Sequence, residues 1–261
     1  MKNNYKSFAI DLAYKAGALI KTNFYLGSKR TWKKDNTPVT ETDFAVNKLV
    51  LDAVRKTYPD FGVLAEEESA MKDNAEYVWV CDPIDGTVPF SHGIPTFVFQ
   101  LALVKDGKPI LGVVYDPILD RLFTAEKGKG SFLNDNRIRV SQAKTFDKTL
   151  FFGIMGKHSK YYMRDVLHVI TEKGANPINF RSIGYGGMLV AAGEIAGAAY
   201  SLKSAHDVAP LKILIEEAGG KVTDMFGNEQ RYDREIKGAL LTNGILHDEL
   251  LQIIKENVIL R

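Results

Sequence analysis

Val78-Trp79-Val80-Cys81-Asp82-Pro83-Ile84-Asp85-Gly86-Thr87 joins an apolar run to two carboxylates, a glycine and a hydroxyl. The β-branched and aromatic content of Tyr77 to Cys81 reads as a buried strand, which sets Asp82 at its carboxyl end, where α/β folds place ligands. Pro83 fixes φ and has no N–H, so the chain must leave the ladder there. Gly86 can take backbone angles other residues avoid and lets a ligand approach closely. A lone Asp-Gly is usually only a polar turn, but two further acidic segments change the balance. Glu66-Glu67-Glu68 comes just after the apolar Phe61-Gly62-Val63-Leu64, and Asp207 stands at the start of a helical pattern. A shared cation site accounts for the three clusters most economically.

The ligand chemistry restricts that cation. One cysteine, Cys81, and five histidines without paired spacing argue against a zinc site built on sulfur and nitrogen. Oxygen ligands select Mg²⁺, Ca²⁺ or Mn²⁺, and a few carboxylates completed by water and a phosphate suit Mg²⁺. An EF-hand fails on spacing, because the twelfth position counted from Asp82 is Gly93. The D-x-D-G-T motif of haloacid-dehalogenase-like phosphatases fails too, since Pro83 stands where their nucleophile would be. The attacking group is then water made reactive by the metal.

These residues resemble the signature set of the inositol monophosphatase family of Mg²⁺-dependent, lithium-sensitive phosphatases, over nearly the whole chain. Glu67-Glu68-Ser69 matches its first motif, Trp79 to Thr87 its second, and His206-Asp207-Val208-Ala209 through Ala218-Gly219-Gly220 its third. The resemblance implies that Glu67, Asp82, the Ile84 carbonyl, Asp85 and Asp207 hold two or three Mg²⁺ ions, with Mn²⁺ as a substitute. It also implies that Glu67, Thr87 and Asp43 activate the attacking water. Gly86, Thr87, Gly184, Tyr185, Gly186 and Lys203 are the candidates for phosphate and substrate contact. The implied fold is a mixed α+β and α/β arrangement with layers ordered αβαβα. Its metals lie between an N-terminal α+β half, residues 1–144, and a C-terminal α/β half, residues 145–261. A homodimer is implied as well.

The expected activity is hydrolysis of a small phosphorylated alcohol or sugar, with inositol 1-phosphate as the default substrate. Histidinol phosphate, fructose 1,6-bisphosphate and adenosine 3′,5′-bisphosphate are the alternatives, and a non-catalytic metal-binding scaffold is the alternative of a different class. Specificity is where the chain departs from inositol-directed members. Tyr200-Ser201-Leu202-Lys203-Ser204 has no glutamate to grip sugar hydroxyls, and Gly184-Tyr185-Gly186 carries an aromatic where small residues are usual. His206 replaces an aromatic before Asp207 and reads as a packing substitute or a hydrogen-bond partner for a carboxylate. His92 reads equally as a substrate contact or a structural residue. Lys33 and Lys34, ahead of Pro38 to Asp43, read as surface lysines or as part of a loop that closes over the site.

Composition agrees with an enzyme of this kind. The 261 residues are 45% hydrophobic and 25% charged with net charge +2, and their cations are interleaved with acids, so neither a nucleic-acid groove nor an anionic membrane surface is expected. No apolar run reaches the roughly 18 residues of a spanning helix, no signal-peptide core follows Met1, and a single cysteine fits a reducing cytoplasm. Helical spacing runs from Phe8 to Ile20 and from Phe44 to Val54, the latter after a cap at Thr40 or Thr42. Thr96 to Val104, Lys108 to Tyr115 and Arg121 to Ala125 read as antiparallel strands. Beyond them, helices are expected over Tyr161 to Glu172, Gly186 to Ala192, Asp207 to Ala218 and Ile245 to Val258. Strands are expected over Ile178 to Ser182, Ile195 to Ser201 and Gly238 to Thr242.

Overall fold

Apolar residues at helical spacing give α1 (Tyr5–Asn23) a buried stripe of Leu12, Ala13, Ala16 and Ile20, and give α2 (Glu41–Thr57) one of Val46, Val50 and Val54. The computed structural model describes residues 4–24, 30–33, 38–73, 75–154 and 161–260. Asn4 caps α1 by accepting the Ser7 N–H, and Thr40 is the N-cap of α2. Between the helices, β1 (Thr31–Trp32) and β2 (Pro38–Val39) form a short antiparallel pair.

A seven-stranded sheet follows in chain order: β3 (Gly62–Ala65), β4 (Tyr77–Asp85), β5 (Val98–Lys105), β6 (Lys108–Asp116), β7 (Arg121–Glu126), β8 (Gly130–Leu133) and β9 (Asn136–Arg137). β3 and β4 are parallel and the remaining neighbours antiparallel, with the short helix α3 (Thr87–Ser91) between β4 and β5. β4 and β5 read as continuous apolar runs because both of their faces are covered. Trp79, Cys81, Phe99, Leu101 and Leu103 pack with the stripes of α1 and α2, whereas Val78, Val80, Val98, Ala102 and Val104 face a second core on the opposite side.

The second half contains β10 (Leu150–Ile154), β11 (Tyr161–Tyr162), α4 (Arg164–Glu172), β12 (Asn176–Ile178), α5 (Ile183–Ala191), β13 (Gly197–Tyr200), α6 (Ala205–Glu217), β14 (Lys221–Thr223), β15 (Ala239–Thr242), α7 (His247–Asn257) and β16 (Ile259–Leu260). Five of these strands form a mixed sheet in the order β12-β10-β13-β15-β14, and β11 pairs with β16. Helices α5 and α6 lie between the two sheets, and α4 and α7 cover the far side of the smaller one through Val166, Ile170, Leu250 and Ile254. The layers run αβαβα, as the resemblance implies.

Four elements differ from the sequence expectation. The strand expected over Ile178 to Ser182 ends at Ile178, because Arg181 has φ of 59° and Ser182 caps α5 by accepting the Tyr185 N–H. That cap also starts the helix at Ile183 rather than Gly186. The helix expected from Tyr161 begins at Arg164, since the two tyrosines pair with β16 instead. Strand β10 carries no alternation to announce it and was not expected.

Candidate active site

The central geometry comes from an irregularity in β4. Asp82 is opposite Gln100 and Asp85 opposite Val98, so three steps on β4 match two on β5 and one residue is inserted as a bulge. Side chains three apart on a regular strand point to opposite faces. The bulge removes that mismatch: Ile84 enters the core below α1 and α2, and both carboxylates turn toward the α5 and α6 layer. Pro83, with no N–H to give, stands within the inserted step. The Ile84 N–H returns to Asp82 Oδ1 at 3.0 Å, and the Ile84 carbonyl accepts the Thr87 hydroxyl at 3.1 Å.

The other half supplies the facing groups. Ser182 Oγ donates to Asp85 Oδ2 at 2.6 Å, the Gly184 N–H donates to the same oxygen, and the Ile183 N–H reaches Oδ1 at 3.3 Å. Asp207, in the first turn of α6, accepts the Tyr200 hydroxyl. Its backbone carbonyl accepts Gln100 Nε2 at 3.4 Å, while Gln100 Oε1 is buried with no protein partner among the described residues. Two sets of ligating atoms, each mutually within 4.8 Å, result: Asp82 with Asp85 and Asp207, and Glu66 with Asp82 and His206. Asp82 belongs to both.

Glu67, expected in this cluster, lies in neither group. β3 runs parallel to β4 up to Ala65, whose buried side chain faces the core of α1 and α2, and the Glu66 N–H continues the ladder to the Cys81 carbonyl at 3.3 Å. Alternation then turns Glu66 toward Asp82 and Glu67 away from it. Ser69 Oγ fixes the turn by accepting the Ala65 N–H and donating to the Ala65 carbonyl. Lys33 bridges the two acids, with Nζ 2.9 Å from Glu66 Oε1 and 2.7 Å from Glu67 Oε1. The structure thus brings Glu66 rather than Glu67 into a group with Asp82, and Lys33 is a half-buried ion-pair partner rather than a surface lysine. Lys34 falls outside the described residues.

Asp43 and Thr87 do meet. Asp43 Oδ1 accepts the Thr87 hydroxyl at 3.2 Å, and Oδ2 accepts both the N–H and the hydroxyl of Thr40. Gly86, at φ 100°, caps α3, and a Cβ there would meet the Thr96 carbonyl oxygen at 2.8 Å. Gly184 has the same close fit, since a Cβ would lie 2.7 Å from Asp85 Oδ2. Gly186 instead packs against the Phe152 ring, and the Tyr185 hydroxyl accepts from Arg121 at 2.8 Å, so of the expected trio Gly184 alone gives the carboxylates a polar group, its N–H to Asp85. Lys203 is spent on Glu235 at 2.6 Å, with both side chains about 70% exposed. His92 Nδ1 contacts the Val88 carbonyl at 2.8 Å, the contact of a structural residue closing its own turn.

Burial and mutual repulsion raise the acids above their ordinary values. Burial, then Glu66 and Asp85, raises Asp82; burial, then Asp207, raises Asp85 against the hydrogen bonds from Ser182 and Gly184. Burial also raises Asp207, which His206 and Tyr200 partly offset. Asp43 is pushed up to about 6 by burial, with the Thr40 hydrogen bonds opposing. Glu67 is pushed up to about 7 by burial and Glu66, with Lys33 opposing. Burial works against the charge of Lys33, but Glu66 and Glu67 outweigh it and hold the ammonium above its ordinary value.

The donor set fits a divalent cation. Ligands on opposite sides of a Mg²⁺ ion stand about 4.2 Å apart, so groups already within 4.8 Å need only small adjustments. Carboxylates that hinder one another's ionisation gain when a cation enters.

A layered αβαβα scaffold whose two halves meet at such an acidic cluster defines the class, a metal-dependent phosphoric monoester hydrolase. Its membership is more specific: the family model of the inositol monophosphatase family matches residues 1–258, and the chain belongs to that family. The fructose-1,6-bisphosphatase/inositol-1-monophosphatase of Thermotoga maritima is 33% identical over 255 residues, 96% of each chain. The histidinol-phosphatase of Chlorobaculum parvum is 33% identical over 252 residues, 94% of this chain and 95% of its own. Among solved structures, an IMPase of Thermotoga maritima superposes with a TM-score of 0.88 at 30% identity over 97% of both chains. No described helix is long and apolar enough to cross a membrane.

Proposed function

We propose that the chain hydrolyses a small phosphate monoester with Mg²⁺, with inositol 1-phosphate as the default substrate. The reading is carried by one observation, the sharing of Asp82 between two ligand groups beside the Thr87–Asp43 pair. Glu66, Asp82, the Ile84 carbonyl, Asp85 and Asp207 would hold two or three ions, with Mn²⁺ able to substitute. When bound, Mg²⁺ supplies a Lewis acid that acidifies water and offsets the charge of the phosphoryl group. Thr87 is suited to orient the attacking water, and Asp43, held on one oxygen by Thr40, is suited to take the proton relayed through that hydroxyl. Its elevated pKa, about 6, makes it a better acceptor than an exposed aspartate. Ser182 and the Gly184 N–H keep Asp85 oriented, Tyr200 does the same for Asp207, and the N–H groups of Gly86 and Thr87 are suited to a phosphate oxygen. Lithium inhibition, a homodimer and a cytoplasmic setting belong to the same reading.

Histidinol phosphate and fructose 1,6-bisphosphate stay in the substrate panel because relatives 33% identical to the chain carry those activities in their names. Phosphate release would be measured from these compounds, inositol 1-phosphate and adenosine 3′,5′-bisphosphate, with and without Mg²⁺ and with added Li⁺, beside Asp85→Asn. The expected result is hydrolysis that disappears without metal and in the variant. Release that is indifferent to metal and to Asp85→Asn would refute the proposed site.

A further inference from the structure

His206 sits in the first turn of α6, one residue before Asp207, yet joins a different set of ligands. One of its ring nitrogens and carboxylate oxygens of Glu66 and Asp82 lie within 4.8 Å of one another. The side chain is only 16% exposed, and no described residue hydrogen-bonds to the ring; its charged neighbour on α6, Asp207 Oδ2, is 4.0 Å away. A histidine used for packing ordinarily satisfies its ring nitrogens with a backbone or hydroxyl partner, as His247 does between Thr223 and Thr242. His206 instead presents nitrogen to two carboxylates.

We infer that His206 is a metal ligand of the centre formed with Glu66 and Asp82, and that this nitrogen makes the centre select Mn²⁺ over Mg²⁺. The inference rests on the metal-dependent reading above and deepens it. Mg²⁺ takes oxygen donors and keeps much of its water, whereas imidazole suits transition metals, whose affinities for nitrogen rise along the first row. The neighbouring centre of Asp82, Asp85 and Asp207 is all oxygen and favours the hard ion. The two centres would then differ in metal preference although they share a carboxylate.

The full chain, stripped of metal, would be titrated calorimetrically with Mn²⁺ and with Mg²⁺, alongside His206→Phe, His206→Gln and Asp82→Asn. Pulsed electron paramagnetic resonance of the Mn²⁺-loaded protein would read ¹⁴N coupling, and circular dichroism would check that each variant is folded. The inference expects ¹⁴N coupling in the parent chain that is lost in His206→Phe, with Mn²⁺ affinity falling about tenfold or more while Mg²⁺ affinity changes much less. Bound Mn²⁺ without ¹⁴N coupling overturns it, as does an equal loss for both ions. Tighter binding of both ions in His206→Phe overturns it too, because the imidazole would then be acting as a competing cation. If the parent chain binds neither ion and Asp82→Asn behaves identically, the underlying metal reading fails, which is a separate result from failure of the histidine assignment.

Discussion

Removing metal from this protein should invert its ordinary dependence of stability on pH. A group whose pKa is higher in the folded state stabilises the fold most when protonated, and that contribution is lost as pH rises from the unfolded value through the folded one. Asp43 moves from 3.8 to about 6, a shift of about two units or about 3 kcal/mol at about 1.4 kcal/mol per unit. Glu67 continues the same trend from 4.5 to about 7, and Asp82, Asp85 and Asp207 shift in the same direction. His247 opposes them, because burial and Lys221 lower it from 6.5 to about 4, so its contribution grows as pH rises toward 6.5 and is level above that. Between about pH 6.5 and pH 8 the carboxylates therefore act without that opposition. The metal-free melting temperature should fall across this interval. A cation at about a hundred times its Kd adds about 3 kcal/mol. That is enough to offset the Asp43 term, and the melting-temperature gain on adding Mg²⁺ should widen from pH 5 to pH 8. Differential scanning calorimetry at matched ionic strength reads both quantities, and His247, held between Thr223 and Thr242 and in neither ligand group, contributes equally with and without the ion. A metal-free melting temperature that is flat or rising above pH 6.5, or a Mg²⁺ gain independent of pH, would refute the placement of these acids in one repelling cluster.

Thr87→Ala should lower kcat about a hundredfold with little change in KM, because it breaks the relay to Asp43 without touching a charged ligand; steady-state phosphate release measures this. Gly184→Ala should cost about 1–3 kcal/mol and weaken metal binding, since the new methyl would stand 2.7 Å from Asp85 Oδ2 and from the Gln100 side chain; urea unfolding with and without Mg²⁺ separates the two effects. His247→Phe should flatten the acid limb of stability. The contribution of the native imidazole is complete above pH 6.5 and lost as pH falls through about 4, so once the constant difference read above pH 6.5 is subtracted, the native urea midpoint should drop below that of the variant in acid.

What could be read from the sequence was what local chemistry encodes. The strand carrying Asp82, the second acid at Asp85 and the Thr87 hydroxyl announce themselves because proline, glycine and paired acids in that order suit few other purposes, although the chain does not leave the ladder at Pro83 as expected but continues through a bulge to Asp85. Three consecutive glutamates have no such internal marker. Choosing Glu66 over Glu67 requires knowing that β3 ends at Ala65 with its side chain inward, a fact set by pairing with β4. Lys33 and Ser182 were not legible as partners for the same reason: each meets its carboxylate across a large sequence separation, 97 residues for Ser182 and Asp85. Gln100 gives the nearest thing to a missed signal, a lone amide in the apolar run from Phe97 to Val104. The helices α1 and α2 were visible by their period, whereas β10 is short and apolar without alternation and could belong to either element type.

Asp85 terminates a strand of one sheet but draws its three hydrogen bonds from Ser182, Ile183 and Gly184, at the start of a helix in the other half. An unassembled N-terminal half would therefore carry the signature residues with one carboxylate unrestrained, and an unassembled C-terminal half would carry the restraint with nothing to hold. On the proposed reading, a competent site needs both segments in place. Secondary structure alone therefore does not report a finished site, since the last restraint on Asp85 comes from residues 97 to 99 positions further along the chain.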